Sequence, residues 1–239
     1  MDLTTLRQVD ASDLKISTPF RWLSISPSGA GKSVLCRRFI SQSQSLLRKG
    51  PFSKIFYCTR VHQSELDSFE KKNLIEVLYN VPSEQEFIDL ITPYKGQKDN
   101  KGDYITSGSL FVFDDMFHDF SDKTSKLIFQ VYSRHMNCSI ISMQHTIFSK
   151  NPLLREISLN CTIMTLHSNA RDKLQSKTFF RQITDGKSAW LEELYRDLSK
   201  VPFSYLFIDF SPTCKQHLRF RSHILEDEGF TRVYCEKQK

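Results

Sequence analysis

The chain has 239 residues, 39% hydrophobic and 25% charged, enough for one sizeable α/β domain or a domain with a small appendage. No run approaches the roughly 18 apolar residues that a membrane span needs. The acid-containing start MDLTTLRQVDASDLK also lacks the apolar centre of a secretory signal. A net charge of +6 permits a polyanionic partner without demanding one. The six cysteines form no C-x-x-C pair and no Cys/His cluster at zinc spacing. Free thiols in a reducing compartment are expected, with neither disulfide nor structural metal.

In chain order, residues 1–19 read as a polar arm or lead-in strand and residues 20–26 as a first buried strand. A helix follows over 34–47 and stops near Lys49-Gly50-Pro51. Residues 54–59 (KIFYCT) form a second strand, 64–73 a helix and 75–79 a strand. Ser83 opens a helix with Glu86 three residues on, the spacing of a capping box. Residues 94–108 are polar, lysine-rich and glycine-containing, an exposed loop in which Lys95, Lys98 and Lys101 keep the chain wet or face a polyanion. Then come a strand over 109–114, a helix over 122–132, a strand over 139–143 and a strand over 161–166. Helices over 171–183 and 190–198 precede two last strands, 205–210 and 217–221, joined as a hairpin. The 19 phenylalanines read mainly as core, with Phe52, Phe148 and Phe203 close enough to loops to serve as contacts.

Strands alternating with helices imply a three-layer α/β sandwich with a mostly parallel, doubly wound sheet and an antiparallel tail. The expected organisation is an arm over 1–19, one domain over 20–225 and a tail over 226–239. Ligands of such sheets bind at the carboxyl ends of the strands.

LSISPSGAGKSVLCRR, residues 23–38, lies at the end of the first strand. A tight glycine-containing turn followed by Lys-Ser at a helix start is how backbone N–H groups cradle a triphosphate. Residues Ser26, Pro27, Ser28, Gly29, Ala30, Gly31, Lys32, Ser33 and Val34 would form the cradle. Lys32 would reach the β- and γ-phosphates of ATP, and the Ser33 hydroxyl would hold Mg²⁺. Ser26 stands where the pattern G-x-x-x-x-G-K-[ST] has glycine.

LFVFDDMF, residues 110–117, supplies the partner. Asp114 emerges at the carboxyl end of a buried strand, where it can hold the Mg²⁺ that touches Ser33, and Asp115 can polarise an attacking water. Alone, the two aspartates read equally as a strand cap or turn. In SRHMNCSIISMQHTIF, residues 133–148, Gln144 ends a third buried strand and can bond a γ-phosphate or a lytic water. Arg134, at the opposite end of that strand, can reach only a neighbouring subunit's nucleotide, as an arginine finger. A polar strand end and a solvated base are the plainer readings of these two residues.

This order of phosphate loop, hydrophobic-DD and R-H-x-N-x-S-(apolar)-Q resembles the FtsK–HerA group of P-loop ATPases. More narrowly it resembles the genome-packaging ATPases of double-stranded DNA viruses, including poxvirus-type enzymes and those of adintoviruses and Polinton elements. Residues 155–173 and 202–212 also look similar, and the likeness spans roughly residues 20–224. His145 departs from it, since Asn usually follows the sensor Gln. The resemblance implies a RecA/ASCE-like P-loop fold and an ATPase that translocates double-stranded DNA. Asp115 would assist water, Gln144 would sense the γ-phosphate, and Arg134 would act in trans, with Arg171 as a second finger candidate. It further implies a homo-oligomeric ring, a capsid or portal partner, no membrane, and action inside an infected host cell or in association with the virion.

Three readings compete: a DNA motor, another P-loop enzyme such as a kinase or GTPase, and a module that binds nucleotide without turnover. A GTPase would want an N-K-x-D segment, which is absent. A kinase would want a basic lid, for which residues 94–108 are the candidate. The acidic pair and Gln144 argue against a passive binder.

Overall fold

The computed structural model describes residues 10–116, 127–148, 152–168 and 173–236. Its frame is a nine-stranded sheet in the order β3-β2-β4-β5-β1-β6-β7-β8-β9. The strands are β1 (Arg21–Ile25), β2 (Lys54–Thr59), β3 (Ile75–Leu78), β4 (Ser109–Asp114), β5 (Cys138–Gln144), β6 (Ile163–His167), β7 (Tyr205–Asp209), β8 (Phe220–Ser222) and β9 (Arg232–Tyr234). The first six run parallel, and β7, β8 and β9 each pair antiparallel with the strand before. The expected mixed α/β sheet with an antiparallel C-terminal part is what forms. Within the segment expected as a tail, β9 adds an edge strand.

The register sets up the cleft. Thr59, Asp114, Met143, Ser24 and Thr165 stand in one row across β2, β4, β5, β1 and β6. Because side chains alternate along each strand, Asp114 shares a face with Leu110 and Val112, and Gln144 lies on the other face with Cys138 and Ile140. Helix α2 (Lys32–Ser41) covers the Asp114 face and places Leu35, Cys36, Phe39 and Ile40 against Trp22, Val112 and Met143. It follows α1 (Ala11–Leu14) and precedes the short α3 (Ser43–Leu46). The helix expected over 34–47 is thus two pieces, broken at Gln42.

The opposite face holds two clusters. Helix α5 (Glu84–Ile91), which follows α4 (Ser64–Glu70), puts Phe87 and Ile91 on Phe56, Phe111 and Phe113. Phe111 lies 4.7 Å from Phe56 and 4.6 Å from Phe87 between ring centres, so phenylalanines are the main filling here. The capping box expected at Ser83 forms, with Glu86 N–H on the Ser83 hydroxyl and Ser83 N–H on the Glu86 carboxylate at 2.8 Å. A π-helical turn (Leu127–Tyr132) leads into the single turn α6 (Ser133–His135) and contributes Ile128 and Phe129. Residues 122–126 of the helix expected there lie outside the described part. Helix α7 (Pro152–Asn160) adds Ile157. Further along the same face, α8 (Lys173–Ile183) and α9 (Ala189–Leu198) bring Phe180, Leu191 and Leu194 onto Leu23, Leu166 and Leu206. No helix among the described residues is long and apolar enough to cross a membrane.

Two polar ties fix the periphery. The buried Arg221 guanidinium lies 3.3 Å from Asp209 and donates to the carbonyls of Leu218 and Leu14, so β8 holds the lead-in segment. Ile16 also bridges to Leu47, so residues 10–19 pack on the domain. The expected loop 94–108 is exposed at Lys98 and Lys101, half-buried at Lys95, and anchored at both ends. Asn137, in left-handed backbone, donates from its side chain to the carbonyls of Lys95 and Thr106 at 3.0 Å each. Gly108 packs so close that a Cβ there would stand 2.0 Å from the Asn137 carbonyl oxygen. Its φ of +66° adds the left-handed requirement. Gly108→Ala should therefore cost at least about 3 kcal/mol. Urea unfolding measures this, and a loss under about 1 kcal/mol would show that Asn137 and the loop yield.

Candidate functional site

The chain leaves β1 at the middle of the sheet's carboxyl edge and turns through residues 26–31 into α2. Ser26, in the place of the usual first glycine, is buried, with its N–H on the Gln144 carbonyl at 3.1 Å. Its hydroxyl donates to the Pro27 carbonyl at 2.9 Å. The left-handed positions of the loop are Gly29 (φ 77°) and Gly31 (φ 101°), so a side chain at Ser26 meets no backbone penalty. Gly31 caps α2 without a side chain, leaving the first N–H groups of that helix open toward an anion.

Lys32 is buried and folds back over the loop. Its ammonium donates to the Ser26 carbonyl at 2.7 Å and the Pro27 carbonyl at 3.4 Å, and lies 3.4 Å from His145 Nδ1. Burial pulls its pKa below the ordinary lysine value, while Asp114 and then Asp115 oppose that by favouring the charge.

Asp114 is held from three directions. Its Oδ2 accepts from Ser33 at 3.2 Å, from the Tyr57 hydroxyl at 2.8 Å and from the Gln63 amide at 3.1 Å. Gln63 is itself fixed by Thr59 at 3.1 Å and by Arg37 at 3.2 Å. Burial keeps Tyr57 protonated, its pKa far above the ordinary phenol value, so it serves only as a donor to the carboxylate. Ser33 and Asp114 form a pair of hard oxygen ligands at a helix start, which fits a small divalent cation that keeps most of its waters. Asp115 turns into the cleft in left-handed backbone, with φ 57°, and its carboxylate lies 3.2 Å from His145 Nε2.

The loop, the two aspartates and His145 line one cleft of about 510 Å³, closed on another side by Phe203. That is within the range of small-molecule sites. The cleft brings together Pro27, Ser28, Gly29 and Gly31 to Val34 with Asp114 and Asp115, and leaves Ser26, Ala30, Gln144 and Arg134 outside its lining. Gln144 is buried, and its side-chain Nε2 has no partner among the described residues. Arg134 lies on α6, at the amino end of β5, and a seven-residue strand separates it from the cleft by about 20 Å. Arg171 lies outside the described residues. Tyr57 and Gln63 were not anticipated, because only the strand order carries them to Asp114. His145, noted only as a departure from the family pattern, bridges the loop carbonyl, Lys32 and Asp115. Phe52 turns out to be core.

His167 sits beneath the loop at the end of β6. It is buried against Tyr205, and neither ring nitrogen has a well-formed hydrogen bond among the described residues. Its pKa falls to about 4, through burial first and the charge of Lys32 second, with an Ala30 backbone group close enough to oppose the shift.

No protein-family model matches the chain, and no curated protein matches it in sequence. Solved structures do match. The genome packaging NTPase B204 of Sulfolobus turreted icosahedral virus 2, in complex with ATPγS, aligns over 90% of this chain and 96% of its own. The TM-score is 0.50 and the identity 14%. The same protein with AMPPCP gives 0.49 and 13%, over 92% of this chain and 99% of that one. The fold is that of P-loop NTPases.

The buried ring of His167 has a thermodynamic consequence. Folded His167 stays neutral down to about pH 4, whereas in the unfolded chain it protonates near 6.5. Its contribution is complete above pH 6.5 and declines as pH falls toward 4, by up to about 3 kcal/mol. His167→Leu should remove that slope. Urea unfolding of both proteins at pH 7, 5.5 and 4.5 tests this, and parallel stability curves would refute it.

Proposed function

We propose that this chain is an ATP-hydrolysing, Mg²⁺-dependent motor that moves double-stranded DNA into a viral or virus-like capsid. The observation that carries the reading is the meeting of Ser33 and Asp114 at 3.2 Å beside a lysine-bearing phosphate loop, with Asp115 next in the chain. The fold likeness to a genome packaging NTPase supports the packaging part.

In this reading the triphosphate displaces Lys32 from the Ser26 and Pro27 carbonyls and takes its ammonium onto the β- and γ-phosphates. The open N–H groups of Gly31 to Ser33 hold the remaining oxygens. Ser33 and Asp114 would hold the Mg²⁺, whose charge would offset that of the phosphates. Tyr57 and Gln63 fix the carboxylate of Asp114 so that little reorganisation accompanies binding. Asp115 orients and polarises the attacking water, and the ring of His145 sets the direction of its carboxylate. Gln144 is the proposed γ-phosphate sensor, an assignment its unpartnered buried amide supports, since a lost hydrogen bond costs about 1–3 kcal/mol.

Arg134 lies too far from its own cleft to contribute there. As a finger it must enter the cleft of a neighbour in a ring, where it would stabilise transition-state charge. The lysine-rich loop 94–108 is tied to Asn137, at the amino edge of the sheet, so it does not overhang the cleft as a kinase lid would. That placement favours the motor over the kinase reading. DNA would be gripped through its phosphates without regard to sequence. Such a protein acts inside the infected cell, with a capsid or portal component as its partner.

ATP turnover with and without double-stranded DNA is the direct test. DNA should stimulate the native chain, and Lys32→Ala should lose about a hundredfold or more of the activity. An assembled protein indifferent to DNA would exclude the motor. For the shared site, Arg134→Ala mixed with Asp115→Asn should recover part of the activity, since some interfaces then join two intact halves. If no mixing ratio recovers any, the trans role of Arg134 is wrong.

A further inference from the structure

The cleft has a direction. Ser33 meets Asp114, the last residue of β4, on the side of β1 occupied by β5 and β4, and Asp115 follows there, so the terminal phosphate points that way. In the order β4-β5-β1-β6-β7, the nucleoside end of a bound triphosphate then leaves over β6 and β7. Phe203 waits on that side, in the connection from α9 to β7. Its ring and Cβ carbons lie 3.5 and 3.8 Å from the point where a Cβ on Gly31 would stand.

Folding alone does not account for this residue. Phe203 is 70% exposed and belongs to none of the three core clusters. Its φ is +60°, in a turn closed by Ser204 N–H on the Val201 carbonyl at 3.3 Å. Pro202 occupies the second position of that turn and Phe203 the third. A turn with positive φ at its third position takes Gly or Asn there, and a bulky aromatic is a genuine outlier. The sequence thus holds a large ring in an unfavourable backbone state, in water, at the wall of the phosphate cleft. Strain of this kind, with no core contact to offset it, marks a ligand-contacting position.

We propose that Phe203 is the surface on which the purine base of the bound nucleoside triphosphate stacks. The inference rests on the nucleotide reading above. Gly31 serves both ends of the ligand. Without a side chain it lets the loop bend around the phosphates and leaves the ring of Phe203 uncovered. A Cβ at this glycine would stand against the ring, between phosphate and base.

Calorimetric titration of the full chain with Mg·ATP and with Mg·tripolyphosphate separates the base from the phosphates. Stacking on an aromatic side chain changes affinity by a factor of about 5 to 100. Phe203→Ala should therefore weaken ATP roughly tenfold and leave tripolyphosphate unchanged. Phe203→Trp should keep the native affinity for ATP. Phe203→Gly, which suits the turn, should raise the melting temperature while losing ATP affinity as the alanine variant does, so that unfolding is not the cause. The proposal fails if Phe203→Ala binds ATP as the parent does, or if both ligands weaken together, which would mean the residue shapes the loop. A parent protein that binds neither ligand overturns the nucleotide reading and the stacking surface with it, before any substitution is made.

Discussion

The cleft depends on one meeting across the sheet, the hydrogen bond from Ser33 to Asp114, whose residues stand 81 positions apart in the chain. Three facts of the backbone make it. The strands β4, β5 and β1 are parallel neighbours, so their carboxyl ends share an edge. Their register puts Asp114 in the same row as Ser24, about 10 Å away. Alternation then aims Asp114 at the face that α2 covers. A slip of one residue in β4 would send Asp114 to the opposite face and put Phe113 under Ser33. The apolar filling resists such a slip, because Phe111 and Phe113 would have to leave a cluster built around them.

Charge around that meeting is balanced within the chain. Lys32 is buried, yet it keeps two carbonyl acceptors and the attraction of two carboxylates. The loop is therefore tolerable as it stands, and a triphosphate would exchange neutral carbonyls for charged oxygens as partners of the same ammonium. Hydrogen bonds to charged acceptors are the stronger, so the exchange favours the ligand. His145 spans the region where this exchange would occur. With one ring nitrogen at the loop and the other at Asp115, it ties the position of the second aspartate to the state of the lysine.

What the sequence disclosed follows from how far each interaction reaches. The strands over 54–59 and 109–114 were legible to the residue, since each is an unbroken apolar run between turn residues. The capping box at Ser83 depends on residues three apart and was equally plain. The loop expected to cradle phosphate is nine consecutive residues, seven of which line the cleft, since such a turn needs only local geometry. The break at Gln42 was hidden, because residues 34–47 contain neither proline nor glycine. So was the anchoring of loop 94–108, which depends on Asn137 entering left-handed backbone some thirty residues further on. Tyr57 and Gln63 were invisible for the same reason: Tyr57 reads as one more apolar strand residue, and only the β2–β4 pairing gives its hydroxyl a carboxylate.

The two edges of the sheet then differ in kind. The carboxyl edge holds the loop, both aspartates and the exposed ring of Phe203. The amino edge holds Arg134 on its single helical turn and the lysine loop, locked there by Asn137 and Gly108. A parallel strand cannot bring its two ends together, so basic groups at the amino edge are useless to the cleft of their own subunit. In the proposed ring they would act on the cleft of a second copy whose neighbour turns its amino edge toward it. The tight Gly108–Asn137 contact would serve the proposed arrangement, because an arginine reaching across an interface needs a rigid base. In a ring, then, the packing at one end of β5 would limit the chemistry at the far end of β5 in the next subunit.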